Sequence, residues 1–380
     1  MISDDEAKEM KTQPTQMSGV LPVQDLKMLI NGGGLSASQP ITDAQLQPAS
    51  LDLRLGTKAY RIRASFLTGP EKTVADRLKD VIMHEIDLTN GAVLETGCVY
   101  LVPLMERACL PPEVSGIANP KSSTGRLDVF TRLVTDYATG FDRMDAGYEG
   151  PLYTEITPKT FSILVRAGSR LNQLRLRRGA SDFSDQQLER LHEEHSLIEG
   201  QLSAIADIED GIALSVDLKG DPETGLVGYR AKRHAGVIDV DKPNAYDPAD
   251  FWDPIIAKKG ATIILDPDEF YILASKEAVH VPPDHAAEMV PFNPLVGEFR
   301  VHYAGFFDPG FGHSAAGGKG SRAVLEVRSH EIPFILEDGQ IVGRLVYEPL
   351  AAIPDFIYGD DIGSHYQKQG LKLSKHFKVD

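Results

Sequence analysis

The sequence has little cysteine and no long apolar segment. Its 380 residues include two cysteines, Cys98 and Cys109, which are too few for a disulfide framework and lack the paired spacing of a zinc site. No apolar run reaches roughly 18 residues, the length of a membrane-crossing helix. Residues 1–17 lack the basic start and apolar stretch of a signal peptide, and we expect them to be disordered. These absences predict a cytoplasmic protein with no membrane partner.

The chain carries fewer positive than negative side chains. The net charge is −16, from 39 Lys and Arg against 55 Asp and Glu. A protein with this charge repels polyanions, so a nucleic acid polymer is not an expected partner. A small anionic ligand can still be held by a local basic cluster. The composition therefore excludes a nucleic-acid-coating function and leaves nucleotide binding open.

Short strand-like segments dominate the chain. A helical pattern in PVQDLKMLING ends at three glycines, and short β-branched or alternating segments bounded by Gly, Pro, Asp or Asn follow it. Between 179 and 220, strong helix formers and a Ser184 N-cap interrupt the strand pattern. The sequence predicts an all-β fold of two domains, 18–178 and 221–357, joined by a helical connector at 179–220.

The two halves resemble each other. MDAGYEGPLYTEI (144–156) parallels FDPGFG (307–312) and RAVLEV (322–327), which are separated by an inserted HSAAGGKGS. Such a repeat indicates an internal duplication. The first-half segment NPKSSTGRL has the counterpart FNPLVGEFR, which loses both serines and the arginine. We therefore expect the chemistry in the first half, with Glu326 retained as scaffold.

Residues 121–126 form a short polar segment between two cations. The segment consists of Lys121, Ser122, Ser123, Thr124, Gly125 and Arg126. Small hydroxyl side chains and glycine let backbone amides and both cations approach phosphate oxygens closely. On its own, the segment is either a phosphate-binding loop or an ordinary polar loop.

Two further features follow along the chain. Asp145 lies in a glycine-bounded turn and can accept a hydrogen bond from a sugar hydroxyl, while Tyr148 offers an apolar face to a ring or against a 2′-hydroxyl. The structural alternatives are a turn aspartate and a core tyrosine. Glu155 lies in a strand, on the same face as Tyr153. An inward carboxylate is costly unless paired or neutral, so Glu155 has either a salt-bridge partner or a chemical role.

Together these segments resemble the dCTP deaminase branch of the dUTPase superfamily. That family carries an Arg-Ser-Ser-x-x-Arg loop, which 121–126 resembles with Lys121 at its first position. It also carries an Asp-x-Gly-aromatic-x-Gly turn and a Glu ten residues beyond the Asp, to which Asp145 and Glu155 correspond. The segment PASLDLRLG (48–56) and the tail HYQKQG also resemble family motifs. The resemblance implies two tandem dUTPase-like β-barrel or jelly-roll domains, of which the second is degenerate.

The resemblance implies zinc-independent hydrolysis of dCTP to dUTP and ammonia. Deamination at cytosine C4 needs water deprotonated, N3 protonated and the departing amine protonated, and one carboxylate of raised pKa can carry all three protons. Glu155 is the expected general acid/base, with Ser122 and Arg126 supplying positioning and electrostatic help. The expected substrate-binding residues of the first half are Lys121, Ser123, Thr124, Gly125, Asp145, Tyr148, Tyr153 and Thr154.

The motifs of metal-dependent and P-loop enzymes are missing. Zinc deaminases use a His-x-Glu and a Pro-Cys-x-x-Cys set, and neither occurs in the sequence. The HEEH segment (192–195) does not have the HExxH spacing, and in GHSAAGGKGS (312–321) Gly320 breaks the Gly-Lys-Ser/Thr of a P-loop. We expect no protein metal ligand and no P-loop.

The tail, 358–380, carries aromatics, glutamines and lysines. It is either a frayed basic tail or, as the resemblance implies, a lid that places Tyr358, His365 and Gln369 near the nucleotide. His365 stands where the family usually has Lys. The family also implies Mg²⁺ bound through the triphosphate, and a homotrimer with sites between subunits.

Two other functions remain open. The turn at Asp145 also resembles the dUTPase motif whose Asp activates water for attack on phosphate, so the chain could be a dUTP diphosphatase, alone or together with deaminase activity. Glu155, and the lack of the Gly-rich, Arg-containing terminal motif of dUTPases, favour deamination. A noncatalytic nucleotide-binding regulator is the third hypothesis, because one half has lost its loop. The intact segment 121–126 argues against it.

Overall fold

The computed structural model of the chain describes residues 18–180, 183–291, 299–301, 305–329, 331–359 and 371–379. The disorder expected for 1–17 lies outside these residues, and so do His365 and Gln369 of the predicted lid. The described part of the tail comprises 358–359 and 371–379.

The helices are few and short. Helix α1 (Val23–Asn31) ends at Gly32, whose N–H donates to the Met28 carbonyl, so the predicted opening helix and its glycine stop are confirmed. The other helices are α2 (Val74–Val81), α3 (Ser122–Gly125), α4 (Asp185–His195) and α5 (Pro248–Phe251). The predicted Ser184 N-cap is confirmed, because its side chain accepts the Gln187 N–H. Within the described ranges, no helix is long and apolar enough to cross a membrane.

Strands make up most of the regular secondary structure in the described residues, as predicted for an all-β chain. The first half contains β1 (Gly19–Val20), β2 (Leu35–Ala37), β3 (Leu46–Gln47), β4 (Ser50–Arg54), β5 (Lys58–Ile62), β6 (Ile82–Asp87), β7 (Ala92–Leu94), β8 (Val99–Cys109), β9 (Val114–Pro120), β10 (Val129–Thr135), β11 (Arg143–Met144), β12 (Glu149–Pro158), β13 (Ile163–Val165) and β14 (Arg170–Arg178). The second half contains β15 (Ile212–Ser215), β16 (Leu226–Ala231), β17 (Ile238–Asp239), β18 (Trp252–Ile256), β19 (Thr262–Leu265), β20 (Phe270–Val279), β21 (His285–Pro291), β22 (Phe299–Val301), β23 (Phe306–Phe307), β24 (Ser321–Ser329), β25 (Phe334–Glu337) and β26 (Ile341–Pro349).

The sheets of the two halves have matching strand orders. In the first half, the orders are β11-β9-β14-β4-β3 and β10-β12-β8-β5-β6, with β1 beside β14 and β2 beside β8. In the second half, they are β23-β21-β26-β15 and β22-β24-β20-β16-β18. The small pairs β13–β7 and β25–β19 also correspond, and β17 joins β13 in parallel. This match is what an internal duplication predicts, and it makes β12 and β24 equivalent strands.

The helical part of the connector is shorter than predicted. Strand β15 lies inside the segment 179–220, yet it pairs with β26 and so belongs to the second-half sheet. Asp210 and Gly211 both have positive φ, at 52° and 108°, and form the turn that starts this strand. The turn ends the helical pattern before the predicted boundary.

A shared aromatic core joins the halves. Phe161 of the first half packs edge-on against Phe251 and Trp252 of the second, with ring centroids 5.6 and 5.4 Å apart. Phe377, near the C-terminus, packs against Trp252 at 5.9 Å. All four rings are buried, so their apolar area stabilises the junction of the halves. A site at this junction is therefore positioned from both sides.

Candidate active site

The polar segment 121–126 folds into one turn of helix between β9 and β10. The Lys121 carbonyl accepts the Thr124 N–H at 2.7 Å and the Gly125 N–H at 2.9 Å, which closes the turn. Thr124 and Gly125 are buried and hold the turn against the first half. The residues of this turn that line a cavity are Lys121, Ser122, Ser123 and Arg126.

That cavity, of about 260 Å³, lies where the two halves meet. Both halves and the C-terminal segment contribute to its wall, so neither half contains the whole site. From the second half come Phe306, Phe307, Asp308, Phe311 and Glu326, and from the C-terminal segment come Tyr358 and Lys375. A partly apolar cavity with a few convergent polar groups is typical of a small-molecule site.

Glu326 of β24 lies in this cavity beside Arg126. The Arg126 Nε and Glu326 Oε1 atoms are 3.7 Å apart, and both side chains are almost fully buried. Burial raises the pKa of Glu326 from its ordinary 4.5 to about 7, and the charge of Arg126 opposes part of that rise. A carboxyl group with this pKa can take up and release protons at neutral pH.

Asp308 is held in the cavity wall by a buried arginine of the first half. Arg175 of β14 is fully buried, and its Nη2 lies 3.4 Å from the Asp308 carboxylate. Its guanidinium also donates to the carbonyls of Ala287 and Phe307 and lies 4.1 Å from the ring centroid of Phe306. Burial raises the pKa of Asp308, and Arg175 opposes the rise. Asp308 is thus fixed from across the junction.

Cations converge around Asp52 at another part of the cavity wall. Lys121 forms an ion pair with Asp52, and Arg170 Nη1 lies 3.5 Å from the other Asp52 oxygen. Burial, with the nearby charge of Lys121, lowers the pKa of Lys375. Three cations against one carboxylate favour an anionic ligand. Within the part of the chain that the structure describes, no group of three or more His, Cys, Asp or Glu side chains is arranged to hold a metal ion.

The C-terminal segment contacts the polar turn of its own chain. The Ser374 hydroxyl donates to the Ser123 carbonyl at 2.7 Å, and Arg126 Nη1 donates to the Lys372 carbonyl at 3.0 Å. Tyr358 lines the cavity with its ring 5.9 Å from that of Phe311. The described part of the tail therefore belongs to the site of its own chain.

Within one chain, Glu155 does not lie in the cavity that Ser122 and Arg126 line, so the expected grouping of these residues is not formed there. Glu155 is buried in β12 and forms an ion pair with Arg132, with Nη2 and Oε1 2.6 Å apart. The Arg132 guanidinium also lies 3.6 Å from the ring centroid of Phe141. The structural alternative of a salt-bridged glutamate thus describes Glu155, and its equivalent Glu326 occupies the cavity.

Four other first-half residues expected near the substrate also lie outside the cavity wall. Asp145 is exposed in the turn after β11. The Tyr148 hydroxyl donates to the Pro151 carbonyl at 2.8 Å, and burial raises its pKa to about 12. Thr154 is buried and donates to the Asn172 side chain, while Tyr153 packs partly buried on a hydrophobic cluster. None of the four lines the cavity.

The residues that the sequence reading missed are Asp308, Phe311, Glu326, Arg170, Arg175 and Lys375. A signal for the first two was present, since Asp308, Gly310 and Phe311 match the Asp-x-Gly-aromatic part of the turn, with His313 where the first-half copy has Gly150. The inserted HSAAGGKGS concealed the spacing to Glu326. Nothing in the local sequence indicates that the first-half turn meets the second-half strand.

Comparisons with known proteins give matches to both halves of the chain. Residues 17–180 match the family model of the 2′-deoxycytidine 5′-triphosphate deaminase (DCD) N-terminal domain, and residues 184–377 match that of its C-terminal domain. The crystal structure of 2′-deoxycytidine 5′-triphosphate deaminase from Agrobacterium tumefaciens is 60% identical, with a TM-score of 0.84, and the match covers 88% of this chain and 99% of that chain.

Two shorter curated relatives match part of the chain. A protein of Halobacterium salinarum named dCTP deaminase, dUMP-forming, is 33% identical over 143 residues, which cover 36% of this chain and 69% of the relative. A protein of Natronomonas pharaonis named dCTP deaminase is 28% identical over 160 residues, which cover 41% of this chain and 78% of the relative.

Proposed function

Because the chain belongs to the 2′-deoxycytidine 5′-triphosphate deaminase family, we propose that it hydrolyses dCTP to dUTP and ammonia in the cavity between its halves. Glu326, in place of Glu155, is the proposed general acid/base. The observation that carries this assignment is the buried position of Glu326, 3.7 Å from Arg126, in a cavity that Ser122 also lines.

The proposed reaction uses one carboxyl group for every proton transfer. Glu326 as carboxylate takes a proton from water, whose oxygen attacks C4 of cytosine, while N3 gains a proton. Glu326 then carries the proton of the new C4 hydroxyl to the amine, so that C4=O forms as the C4–N bond breaks, and dCTP and water give dUTP and ammonia. A pKa near 7 suits this exchange, because at neutral pH the carboxyl group is partly ionised and partly protonated and can both accept and donate a proton. Ser122 and Arg126 orient the water and stabilise the charge that develops.

Sugar recognition is assigned to the second half. Asp308, held by Arg175, accepts a hydrogen bond from the deoxyribose hydroxyl, which is the role expected of Asp145 from the sequence. The ring of Phe311 presents an apolar surface to the sugar, as expected of Tyr148. Asp308 and Phe311 line the cavity that contains Glu326, which supports both assignments.

The triphosphate is assigned to Lys121, Arg170 and Lys375, with the hydroxyls of Ser122 and Ser123. Mg²⁺ enters as part of the substrate, bound to phosphate oxygens. The carboxylates of Asp52 and Asp308 in the cavity wall already face cations of the protein. The phosphate oxygens of the substrate therefore supply the ligands for Mg²⁺. We further propose two dUTPase-like barrels per chain and self-association as a homotrimer, which sedimentation velocity measures.

Release of pyrophosphate as a second activity is the alternative, since the relative from Halobacterium salinarum is named dUMP-forming. Purified chain is incubated with Mg²⁺ and dCTP or dUTP, and ammonia and pyrophosphate are measured separately. Ammonia alone from dCTP supports the deaminase, and pyrophosphate in addition shows both activities. Pyrophosphate from dUTP alone shows a diphosphatase, and neither product indicates a noncatalytic regulator.

The assignment of the acid/base group is tested by a matched pair of variants in equivalent strands. Glutamine keeps the shape of glutamate but cannot accept the proton, and general acid/base catalysis contributes about 10²–10⁴-fold. We expect Glu326→Gln to lose ammonia release by that factor and Glu155→Gln to release ammonia near the wild-type rate. The opposite result would return the catalytic role to Glu155.

A further inference from the structure

A second ion pair crosses the junction next to Arg126 and Glu326. Asp128 of the first half and Arg328 of β24 face each other, with 1% and 14% of their side chains exposed. The Thr160 hydroxyl donates to Asp128 and accepts from Arg328 at 3.0 Å. The pair is therefore buried, hydrogen-bonded and formed between the two halves.

The backbone at Asp128 is fixed as tightly as its side chain. Asp128 has a φ of 56°, in the left-handed region that Asp tolerates better than most residues. Its N–H donates to the Gly125 carbonyl at 2.8 Å, and its carbonyl accepts the Lys159 N–H at 2.9 Å. Asp128 is thus the point at which the chain turns from α3 into β10, two residues after Arg126.

On the opposite side of the junction, the two partner residues are also two positions apart in sequence. Glu326 and Arg328 are alternate residues of β24, so their side chains leave the same face of the strand roughly 7 Å apart. Arg126 pairs with Glu326, and Asp128 pairs with Arg328. The equivalent of Arg328 in the first half is Thr157, so the duplicated strand pattern does not by itself supply this pair.

We propose that Asp128 and Arg328 are positioning residues for deamination, because their pair sets the register of the polar turn on β24 and so holds Arg126 against Glu326. The inference rests on the proposed role of Glu326. The attraction between two buried opposite charges offsets their desolvation cost only when the two groups are in close contact. The pair therefore favours the register of the turn on β24 that brings Asp128 and Arg328 together. It touches neither substrate nor reacting atoms.

The test uses Asp128→Asn, Arg328→Met and the double variant in the full-length chain. Misplacement by about 1 Å can lower a rate about 10²-fold, so each variant should lose kcat on that scale, while KM for dCTP changes little because the phosphate cations remain. The single variants leave an unpaired buried charge and should lower Tm. The double variant leaves none, so its Tm should recover while its kcat stays low.

The pH dependence separates positioning from charge. The double variant removes one charge of each sign near Glu326, and Arg126 is the cation whose field lowers the pKa of that carboxyl. A higher acidic midpoint of kcat/KM in the double variant therefore reports that Arg126 has moved away. The matched control is Asp239→Asn, which breaks another ion pair between the halves, with Arg166, outside the cavity wall. It should lower Tm and leave kcat and the midpoint in place.

The outcomes distinguish this inference from the function on which it rests. A wild type that releases no ammonia from dCTP overturns both. An active wild type whose double variant regains kcat together with Tm overturns the positioning role alone, and so does a double variant with the wild-type midpoint. Low kcat with recovered Tm and a raised midpoint supports it, even where the single variants fail to fold.

Discussion

The proton exchange assigned to Glu326 predicts a specific pH dependence of deamination. The difference between the ordinary pKa of 4.5 and about 7 corresponds to roughly 3 kcal/mol in favour of the protonated carboxyl, caused by burial. Because the free enzyme must present a carboxylate to water, kcat/KM should rise about tenfold per pH unit below pH 7 and level off above it. The perturbation that tests the cause is Arg126→Met.

Removing Arg126 removes the charge that opposes the effect of burial on Glu326. An opposite charge within about 4–6 Å lowers a carboxyl pKa by about 1–3, and the Arg126–Glu326 separation is 3.7 Å. The acidic midpoint of the variant should therefore move up by about one pH unit or more. The assay is the initial rate of ammonia release at low dCTP, from about pH 5 to about pH 9.

The comparison between variants cancels the titration of the substrate. The terminal phosphate of dCTP also titrates in this range, but it does so equally with every variant. Arg170→Met is the matched control, because Arg170 lines the cavity beside Asp52 and is not among the groups that shift Glu326. It should weaken dCTP binding and keep the midpoint. A wild-type midpoint near 4.5, or an Arg126→Met midpoint that does not rise, would refute the reasoning.

Two further predictions concern stability and binding. The folded-state pKa of Glu326 lies above its unfolded value, so the wild type loses stability as pH rises from about 4.5 to about 7. Over that range, the free energy of unfolding of Glu326→Gln should increase by roughly 3 kcal/mol relative to that of the wild type. Urea denaturation at several pH values measures this difference. An unchanged difference would contradict the buried carboxylate. Lys375→Met should raise KM for dCTP about tenfold and leave kcat nearly unchanged, because a phosphate contact is made equally in the ground and transition states. Steady-state kinetics measure both constants. A loss in kcat instead would assign Lys375 another role.

Local sequence was sufficient wherever the structure depends on near neighbours. Glycine spacing ended α1 at Gly32, and the Ser184–Gln187 capping box started α4, as predicted. The alternation and turn residues predicted an all-β chain, and the strand orders of the halves match as the internal repeat suggested. Even the connector prediction failed only at its end, where the turn at Asp210 and Gly211 starts β15.

The choice between two equivalent glutamates was outside the reach of local sequence. Glu155 and Glu326 lie in equivalent strands, and the ten-residue spacing from Asp145 favoured the first. The structure gives Glu155 an ion pair with Arg132 and gives Glu326 the cavity, a raised pKa and Arg126. What decides between them is which strand the polar turn meets across the junction.

The sequence by itself therefore determined the fold class, the internal repeat and the polar and charged groups of segment 121–126, because these follow from residue type and short-range spacing. The tertiary structure alone decided which groups lie together. Arg126 and Glu326 are 200 residues apart in sequence, and their side chains are 3.7 Å apart in space. Their contact depends on the packing of one half on the other, through the aromatic core around Trp252 and buried pairs such as Asp128–Arg328, and no short-range pattern encodes that packing.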